Sequence, residues 1–364
     1  MADMIAKNEE LAAVIMAGGA GTRFWPVSTE DRPKQFLNLF GERTLIQESY
    51  DRVKDIIPPE RILVLTSERF VPKVLEQLPE IPRENIIGEP FRRDTAAACA
   101  LAASVCEHLF GKCTIAMLPA AHKIYPYDAF RETLLSAAKE ASKSEALYTL
   151  GILPRYPATG YGYLHCGEQL MTGAGPKHFR LLEFKEKPDI DTAERFLREG
   201  GYFWNSGMFV WHVDSIKAEF RAHLPGHLEA MEKAAKSFGT NNWHKALQEA
   251  FEPLPKISID FGIMEYAADV RMTAAEFSWF DVGGWLALEP FMEKDKSGNS
   301  FKGETITKNS YGNIVFNDAN DEIIALVGIS NACVIRAGNK TLVVSKDKLE
   351  DVKKLVSWLD EKWH

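Results

Sequence analysis

The chain has 364 residues, of which 46% are hydrophobic and 26% are charged, values that are typical of a globular protein with a packed core. This length allows one large domain with an appendage, or two domains. The formal net charge of -8 argues against a general nucleic-acid-binding function, because a polyanionic partner requires a basic face.

The termini and the apolar stretches predict a cytoplasmic protein without a membrane partner. The first ten residues carry Asp3, Lys7, Glu9 and Glu10 and contain no apolar core of a signal peptide. The most apolar stretch, residues 95–106, is too short to span a bilayer. The cysteines show no CxxC spacing and lie mostly in apolar stretches, so we expect buried thiols rather than a metal site or disulfides.

A glycine-rich turn follows the first predicted strand, residues 11–16. Its glycines are Gly18, Gly19 and Gly21. Glycines let the backbone adopt positive φ and turn several N–H groups toward an anion, and Arg23 and Lys34 add two cations. This stretch therefore predicts a phosphate-binding loop.

Two familiar glycine motifs do not fit this turn. A dinucleotide-binding fingerprint beginning at Gly19 requires a glycine where Phe24 stands, and a P-loop beginning at Gly18 requires one where Arg23 stands. A tight strand-to-loop connection with scattered surface charges remains the alternative on this stretch alone.

Strands and helices alternate through the first part of the chain. The predicted strands are 11–16, 61–66, 85–89, 113–118 and 146–152, and the predicted helices are 44–53, 70–78, 94–110 and 128–142. Thr44 and Gln47 form a capping-box pattern at the first helix. This alternation predicts an α/β fold, with a Rossmann-like, mostly parallel sheet covered by helices on both faces. Ligands bind such sheets beyond the carboxyl ends of their strands, where the glycine turn lies.

The pattern changes in the second half of the chain. Residues 160–166 and 178–188 suggest an antiparallel insertion, followed by an aromatic strand that Asn205, Ser206 and Gly207 interrupt. Three helical stretches follow, at about 213–221, 228–237 and 241–251. We then expect a linker at 294–303, so that residues 1–294 form one domain and 295–364 a small β domain ending in a helix, 348–363.

Eight motifs, taken in order, resemble the family of sugar-1-phosphate nucleotidyltransferases. Within that family they are similar to the single-function, short guanylyltransferases that act on mannose 1-phosphate. The motifs are AGGAGTRFWPVSTEDRPKQF, EPFRRDTAAA, LPAAHKI, GYGY, FKEKP, WNSGMFVW, SIDFGIMEYA and FDVGGW. No isomerase domain is expected after the β domain.

The resemblance implies transfer of GMP from GTP to mannose 1-phosphate, which gives GDP-mannose and pyrophosphate, with Mg²⁺ as cofactor. It implies catalytic roles for Arg23 and Lys34 and a metal ligand in Asp281. The implied nucleotide-binding residues are Ala17, Gly18, Gly19, Gly21, Thr22, Glu89, Thr95 and Ala96, and the implied sugar-binding residues are Gly162, Glu186, Lys187, Asn205 and Asp260. A homodimer is a further expectation.

The sequence departs from the family at one metal-binding position. The family motif places an aspartate where Ala121 stands, and an alanine offers no oxygen to Mg²⁺. Three interpretations stay open: an engineered substitution, a natural enzyme that holds the metal through Asp281, phosphates and water, or a non-catalytic sugar-nucleotide-binding protein. The same reaction on another sugar 1-phosphate or nucleotide is the remaining alternative. We expect slow or absent turnover with retained ligand binding.

Overall fold

A computed structural model describes residues 8, 10–19, 21–319 and 321–363. Asp3, Lys7 and Glu9, used above for the expected localisation, lie outside these residues.

The helices are α1 (Leu45–Val53), α2 (Val71–Gln77), α3 (Asp94–Phe110), α4 (Tyr127–Ala141), α5 (Ile190–Glu199), α6 (Val213–His223), α7 (Pro225–Ala235), α8 (Trp243–Phe251) and α9 (Val352–Val356). The first strands are β1 (Leu11–Ala17), β2 (Ile62–Ser67), β3 (Ile86–Glu89), β4 (Thr114–Pro119), β5 (His122–Tyr125), β6 (Leu147–Ile152), β7 (Tyr163–Leu170), β8 (His178–Lys185) and β9 (Tyr202–His212). The later strands are β10 (Val270–Ala274), β11 (Ser278–Asp281), β12 (Glu293–Lys294), β13 (Ser300–Lys302), β14 (Thr305–Lys308), β15 (Ile314–Asn317), β16 (Ile324–Val327), β17 (Ala332–Ala337) and β18 (Lys340–Ser345).

The chain divides into two compact units. The first contains Met1–Gly18, Ser49–Ala120 and Ile124–Trp279, and the second contains Gly19–Glu48, Ala121–Lys123 and Phe280–His364. The glycine turn is thus shared, since Gly18 ends the first segment of one unit and Gly19 begins the other. The predicted domain boundary at residue 294 stays a prediction.

A large sheet forms the centre of the first unit. Within the described residues its strand order is β3-β2-β1-β4-β9-β6-β10-β8-β7. Strands β3, β2, β1 and β4 are mutually parallel, as the alternation of strands and helices predicts, whereas β9 runs antiparallel to both β4 and β6. The expected antiparallel insertion is the β7–β8 pair. The predicted α/β fold is confirmed.

The core of the first unit explains its apolar segments. Strand β1 is buried along nearly its whole length, as strands covered on both faces are. Helix α3 has buried alanines and cysteines on all sides, which identifies it as an interior helix. The cysteines are free thiols, and all except Cys166 are fully buried, as expected. Helix α5 was not predicted from the sequence, although Asp189 caps it by accepting a hydrogen bond from Thr192 N at 2.8 Å.

The second unit contains the C-terminal strands. Strands β13, β15 and β17 are parallel neighbours, as are β14 and β16. Buried asparagines link the chain at the starts of β13, β15 and β17. Asn313 Nδ2 donates to Asn299 Oδ1 at 2.8 Å, and Asn313 Oδ1 accepts from Ala332 N at 3.0 Å. The predicted small β domain is therefore present.

Two local predictions in the second unit were wrong. Residues 300–302, assigned to the linker, form β13, because they pair in register with β15. The predicted C-terminal helix is present as α9, but its predicted bounds, 348–363, were wrong, because 3-10 turns (Lys346–Asp351 and Glu361–Trp363) lie on either side of it. A helix this short is marginal by itself, so tertiary packing sets its limits. Among the described residues, the helices are all too short or too polar to cross a membrane.

Candidate active site

The two cations near the glycine turn approach the backbone that follows β11. Lys34 Nζ donates to Val282 O at 3.0 Å, and Arg23 Nη1 donates to Gly283 O at 3.3 Å. Gly21 has φ +66°, and a Cβ there would lie 2.7 Å from Lys34 N, so a glycine is required for this turn. Burial lowers the pKa of Lys34, Asp281 opposes this shift, and Arg23 adds to it. The structure therefore brings Arg23, Lys34 and Asp281 together within the second unit.

Asp281 is the last residue of β11. A Cβ on Gly283 would lie 3.3 Å from Asp281 Oδ2 and 3.6 Å from Arg23 Nη1, so this glycine leaves the space between carboxylate and guanidinium open. The backbone of Ala121 is nearby, because Val282 N donates to Ala121 O at 3.2 Å. The Ala121 methyl group packs against the apolar cluster of the second unit instead of offering a ligand atom.

Of the other predicted nucleotide-binding residues in the second unit, Gly19 is exposed beside the turn. Thr22 lies in a 3-10 turn, Thr22–Phe24, and its side chain is outside the described part of the chain.

A partly buried carboxyl, Glu89, ends β3 in the first unit. A Cβ on Gly18 would lie 3.4 Å from Glu89 Oε2, which places this carboxyl beside the start of the glycine turn. Burial raises the pKa of Glu89 to about 8, so the group is mostly protonated at neutral pH. Ala17 is the buried last residue of β1.

Thr95 and Ala96 stand at the start of α3, but their polar groups already have partners. Thr95 Oγ1 accepts a hydrogen bond from Ile259 N at 2.8 Å, and Ala96 N donates to Ile257 O at 3.2 Å. The start of the helix therefore fixes the segment that leads into Asp260.

Asn205 is the centre of a buried hydrogen-bonded network in the first unit. Thr149 Oγ1 donates to Asn205 Oδ1 at 3.0 Å, and Asn205 Nδ2 donates to Asp260 Oδ1 at 2.9 Å. Burial, followed by the charge of Glu186, raises the pKa of Asp260 to about 7. The structure thus brings together four residues that the sequence predicts to bind the sugar: Gly162, Glu186, Asn205 and Asp260.

Glu186 presents an oxygen that accepts no hydrogen bond. Its Oε1 accepts from Lys187 Nζ at 2.6 Å, whereas Oε2 is buried without a partner. A Cβ on Gly162 would lie only 2.5 Å from this Oε2, so the glycine is needed for the carboxylate to occupy its position. An unpaired buried carboxylate oxygen is costly, and a ligand hydroxyl would satisfy it.

Aromatic side chains adjoin this network, as expected for a site that binds a hydroxyl-rich ligand. Tyr161 contacts Trp204 and Trp279 edge-on, each with ring centroids 5.2 Å apart. Neither Tyr161 nor Thr149, which orients Asn205, was predicted from the sequence. The GYGY motif contained a signal for Tyr161, but nothing in the sequence links Thr149 to position 205.

Comparison with known proteins agrees with these motifs. The family model for nucleotidyl transferases matches residues 12–298. The chain belongs to the nucleotidyl transferase family. A second model, the mannose-phosphate isomerase/GMP-like β-helix domain, matches residues 303–359.

Within the nucleotidyl transferase family, the similar proteins carry a consistent name. A mannose-1-phosphate guanylyltransferase of Klebsiella pneumoniae is 34% identical over 96% of this chain and 74% of its own length. The RfbM protein of Salmonella typhimurium, which bears the same name, is 35% identical over 95% of this chain and 72% of its own length.

Solved structures agree on the fold. A Thermus thermophilus crystal structure described as mannose-1-phosphate geranyltransferase has a TM-score of 0.85 and 34% identity, covering 96% of this chain and 98% of that one. The resemblance inferred from the motifs is confirmed.

Proposed function

We propose that the chain transfers GMP from GTP to mannose 1-phosphate, giving GDP-mannose and pyrophosphate. The observation that carries this proposal is the identity of 34–35% to mannose-1-phosphate guanylyltransferases along almost the whole chain. The same similarity disfavours a different sugar 1-phosphate or nucleotide. In this reaction a phosphate oxygen of the sugar phosphate attacks the α-phosphorus of GTP, and the bond between that phosphorus and the bridging oxygen to the β-phosphorus breaks.

The residues of the second unit are suited to the triphosphate. Arg23 offers guanidinium N–H groups beyond the one given to Gly283, and such groups bind phosphate oxygens in pairs. Lys34 is held by Val282 O, and its ammonium would stabilise the charge that develops on the leaving pyrophosphate. Gly19 and Gly21 would bring backbone N–H groups to the phosphates. Phosphoryl transfer is accelerated mainly by such positioning and charge stabilisation.

The residues of the first unit are suited to base and sugar recognition. Glu89, beside Gly18, would release its proton to solvent when guanine binds and accept hydrogen bonds from the N–H groups of the base, with Ala17, Thr95 and Ala96 near base and ribose. Glu186 Oε2 would accept from a sugar hydroxyl, and Asn205 and Asp260 would complete the sugar site with Gly162. Lys187, which pairs with Glu186, would neutralise the sugar phosphate.

The donor set fits Mg²⁺ with a single protein carboxylate. Mg²⁺ binds through one or two carboxylates together with phosphates and waters, and Asp281 can serve as one such ligand. Within the described residues, no group of three His, Cys, Asp or Glu side chains could hold a metal ion. When bound, the ion would supply positive charge to the phosphate oxygens.

A panel of substrates tests the proposed reaction. Pyrophosphate release should be fastest with GTP and mannose 1-phosphate, and slower when ATP or UTP replaces GTP or glucose 1-phosphate replaces mannose 1-phosphate. Equal or faster release with another pair would contradict the proposed substrates.

Ala121 should limit turnover, because one metal ligand of the family is absent. We expect Ala121→Asp to raise kcat at least about tenfold and to lower the Mg²⁺ concentration needed for half-maximal rate, since a positioned carboxylate restores charge and geometry. Ala121→Asn, which has the same shape without the charge, is the control. If Ala121→Asp folds and has the same rate as the parent, the missing carboxylate does not matter.

A further inference from the structure

The C-terminal segment, residues 346–363, packs on the turn that carries Arg23. Val352 and Val356 are buried in one apolar cluster with Phe24 and Trp25. The Trp25 indole Nε1 donates to Trp363 O at 2.9 Å. Both kinds of contact lie within the second unit, and together they fix the backbone immediately after Arg23.

The same C-terminal segment also contacts the Arg23 side chain. Glu350 Oε2 lies 3.6 Å from Arg23 Nε, and the two side chains are 86% and 52% exposed. This distance is too long for a hydrogen bond, so the contact is an ion pair. Arg23 Nη1 meanwhile donates to Gly283 O, so the guanidinium is held from two directions.

The Glu350 charge has the wrong sign for a partner of a phosphate-binding arginine. If Arg23 binds the triphosphate, as proposed above, a phosphate must share the guanidinium with Glu350 or displace it. The carboxylate also repels the approaching phosphates. Because both side chains are largely exposed, solvent screens this effect and keeps it modest.

We propose that Glu350 competes with the triphosphate for Arg23, so that the C-terminal segment lowers the affinity for GTP. This inference rests on the proposed function, since it assumes that Arg23 binds the phosphates of GTP. In the free protein Glu350 pairs with the guanidinium, and the incoming nucleotide shares Arg23 with it or displaces it. Nothing in the sequence suggests this role, because Arg23 and Glu350 are more than three hundred residues apart.

Direct measurement of GTP binding tests the proposal. Titration calorimetry with GTP in excess MgCl₂ would compare the parent chain, Glu350→Gln, Glu350→Asp and Asp347→Asn. Asp347→Asn is the matched control, because it removes the same charge from the same segment at a carboxylate that pairs with Lys348. We expect Glu350→Gln to bind GTP about two- to fivefold more tightly, the range for an exposed ion pair. That gain should vanish at about 0.5 M salt, where exposed charges are screened.

Each outcome has a defined meaning. Parent-like binding by Glu350→Asp and by Asp347→Asn would support the ion pair, and a lower KM for GTP with unchanged kcat would locate its effect in binding. Equal GTP affinity of Glu350→Gln and the parent, weaker binding by Glu350→Gln, or an equal gain in Asp347→Asn, would overturn the proposal. If the parent and all variants fail to bind GTP, the proposed function itself is wrong.

Discussion

Replacing the partly buried Glu89 by glutamine should make stability less sensitive to alkaline pH. Burial raises the pKa of this carboxyl from 4.5 to about 8. Between these pH values the folded protein keeps a proton that the unfolded chain has lost, so the free energy of unfolding falls as pH rises. Above the folded-state pKa of Glu89, the free energy of unfolding has lost its full contribution from this group and falls no further on its account. A shift of this size corresponds to at most about 5 kcal/mol, and to less here because the side chain is partly exposed.

Urea denaturation without nucleotide, at pH 5.5 and 8.5, measures this effect. Relative to the parent, Glu89→Gln should gain about 2–3 kcal/mol in the free energy of unfolding between the two pH values, because glutamine has no charged form. Glu84→Gln, at an exposed carboxylate, is the control and should show no comparable gain. A difference between Glu89→Gln and the parent that is the same at both pH values would refute a strongly perturbed Glu89.

Two glycines offer paired tests of the site. In Gly162→Ala the added methyl group would lie 2.5 Å from Glu186 Oε2, so we expect the KM for mannose 1-phosphate to rise about tenfold. Gly160→Ala, with open space around its Cβ, is the control and should behave like the parent. Equal KM values in both variants would contradict the role of Glu186. In Gly21→Ala the positive φ and the contact with Lys34 N should cost about 1–3 kcal/mol of stability, whereas a Cβ on Gly19 meets no neighbour, so Gly19→Ala should keep the melting temperature of the parent. Equal melting temperatures of the two variants would count against the turn geometry.

The sequence predicts elements well where local pattern and packing agree. Strand β1 and residues 96–103 of helix α3 are apolar without interruption, and both are interior segments. The bounds of the C-terminal helix were wrong for the opposite reason. Its apolar spacing is helical over 348–363, but contacts of Val352, Val356 and Trp363 with the segment after Arg23 limit the α-helix to α9. Periodicity along a chain contains no information about such distant partners.

The candidate site shows the same limit. Arg23 and Lys34 stand out beside the glycines, because residue types and spacing reveal them. Their partners, the carbonyl groups of Val282 and Gly283, are backbone atoms that residue type does not identify, and they lie about 250 residues away. Likewise, no pattern in the sequence predicts that Glu89 keeps its proton, since this depends on burial in the folded protein.

The most direct test of the proposed reaction is to identify its products. The parent chain and Ala121→Asp would each be incubated with GTP, mannose 1-phosphate and MgCl₂, and followed by ³¹P NMR. We predict that Ala121→Asp forms GDP-mannose and pyrophosphate in equal amounts, and that the parent forms them more slowly or not at all. Ligand binding without either product, in a folded Ala121→Asp variant, would contradict the account and identify a sugar-nucleotide-binding protein instead.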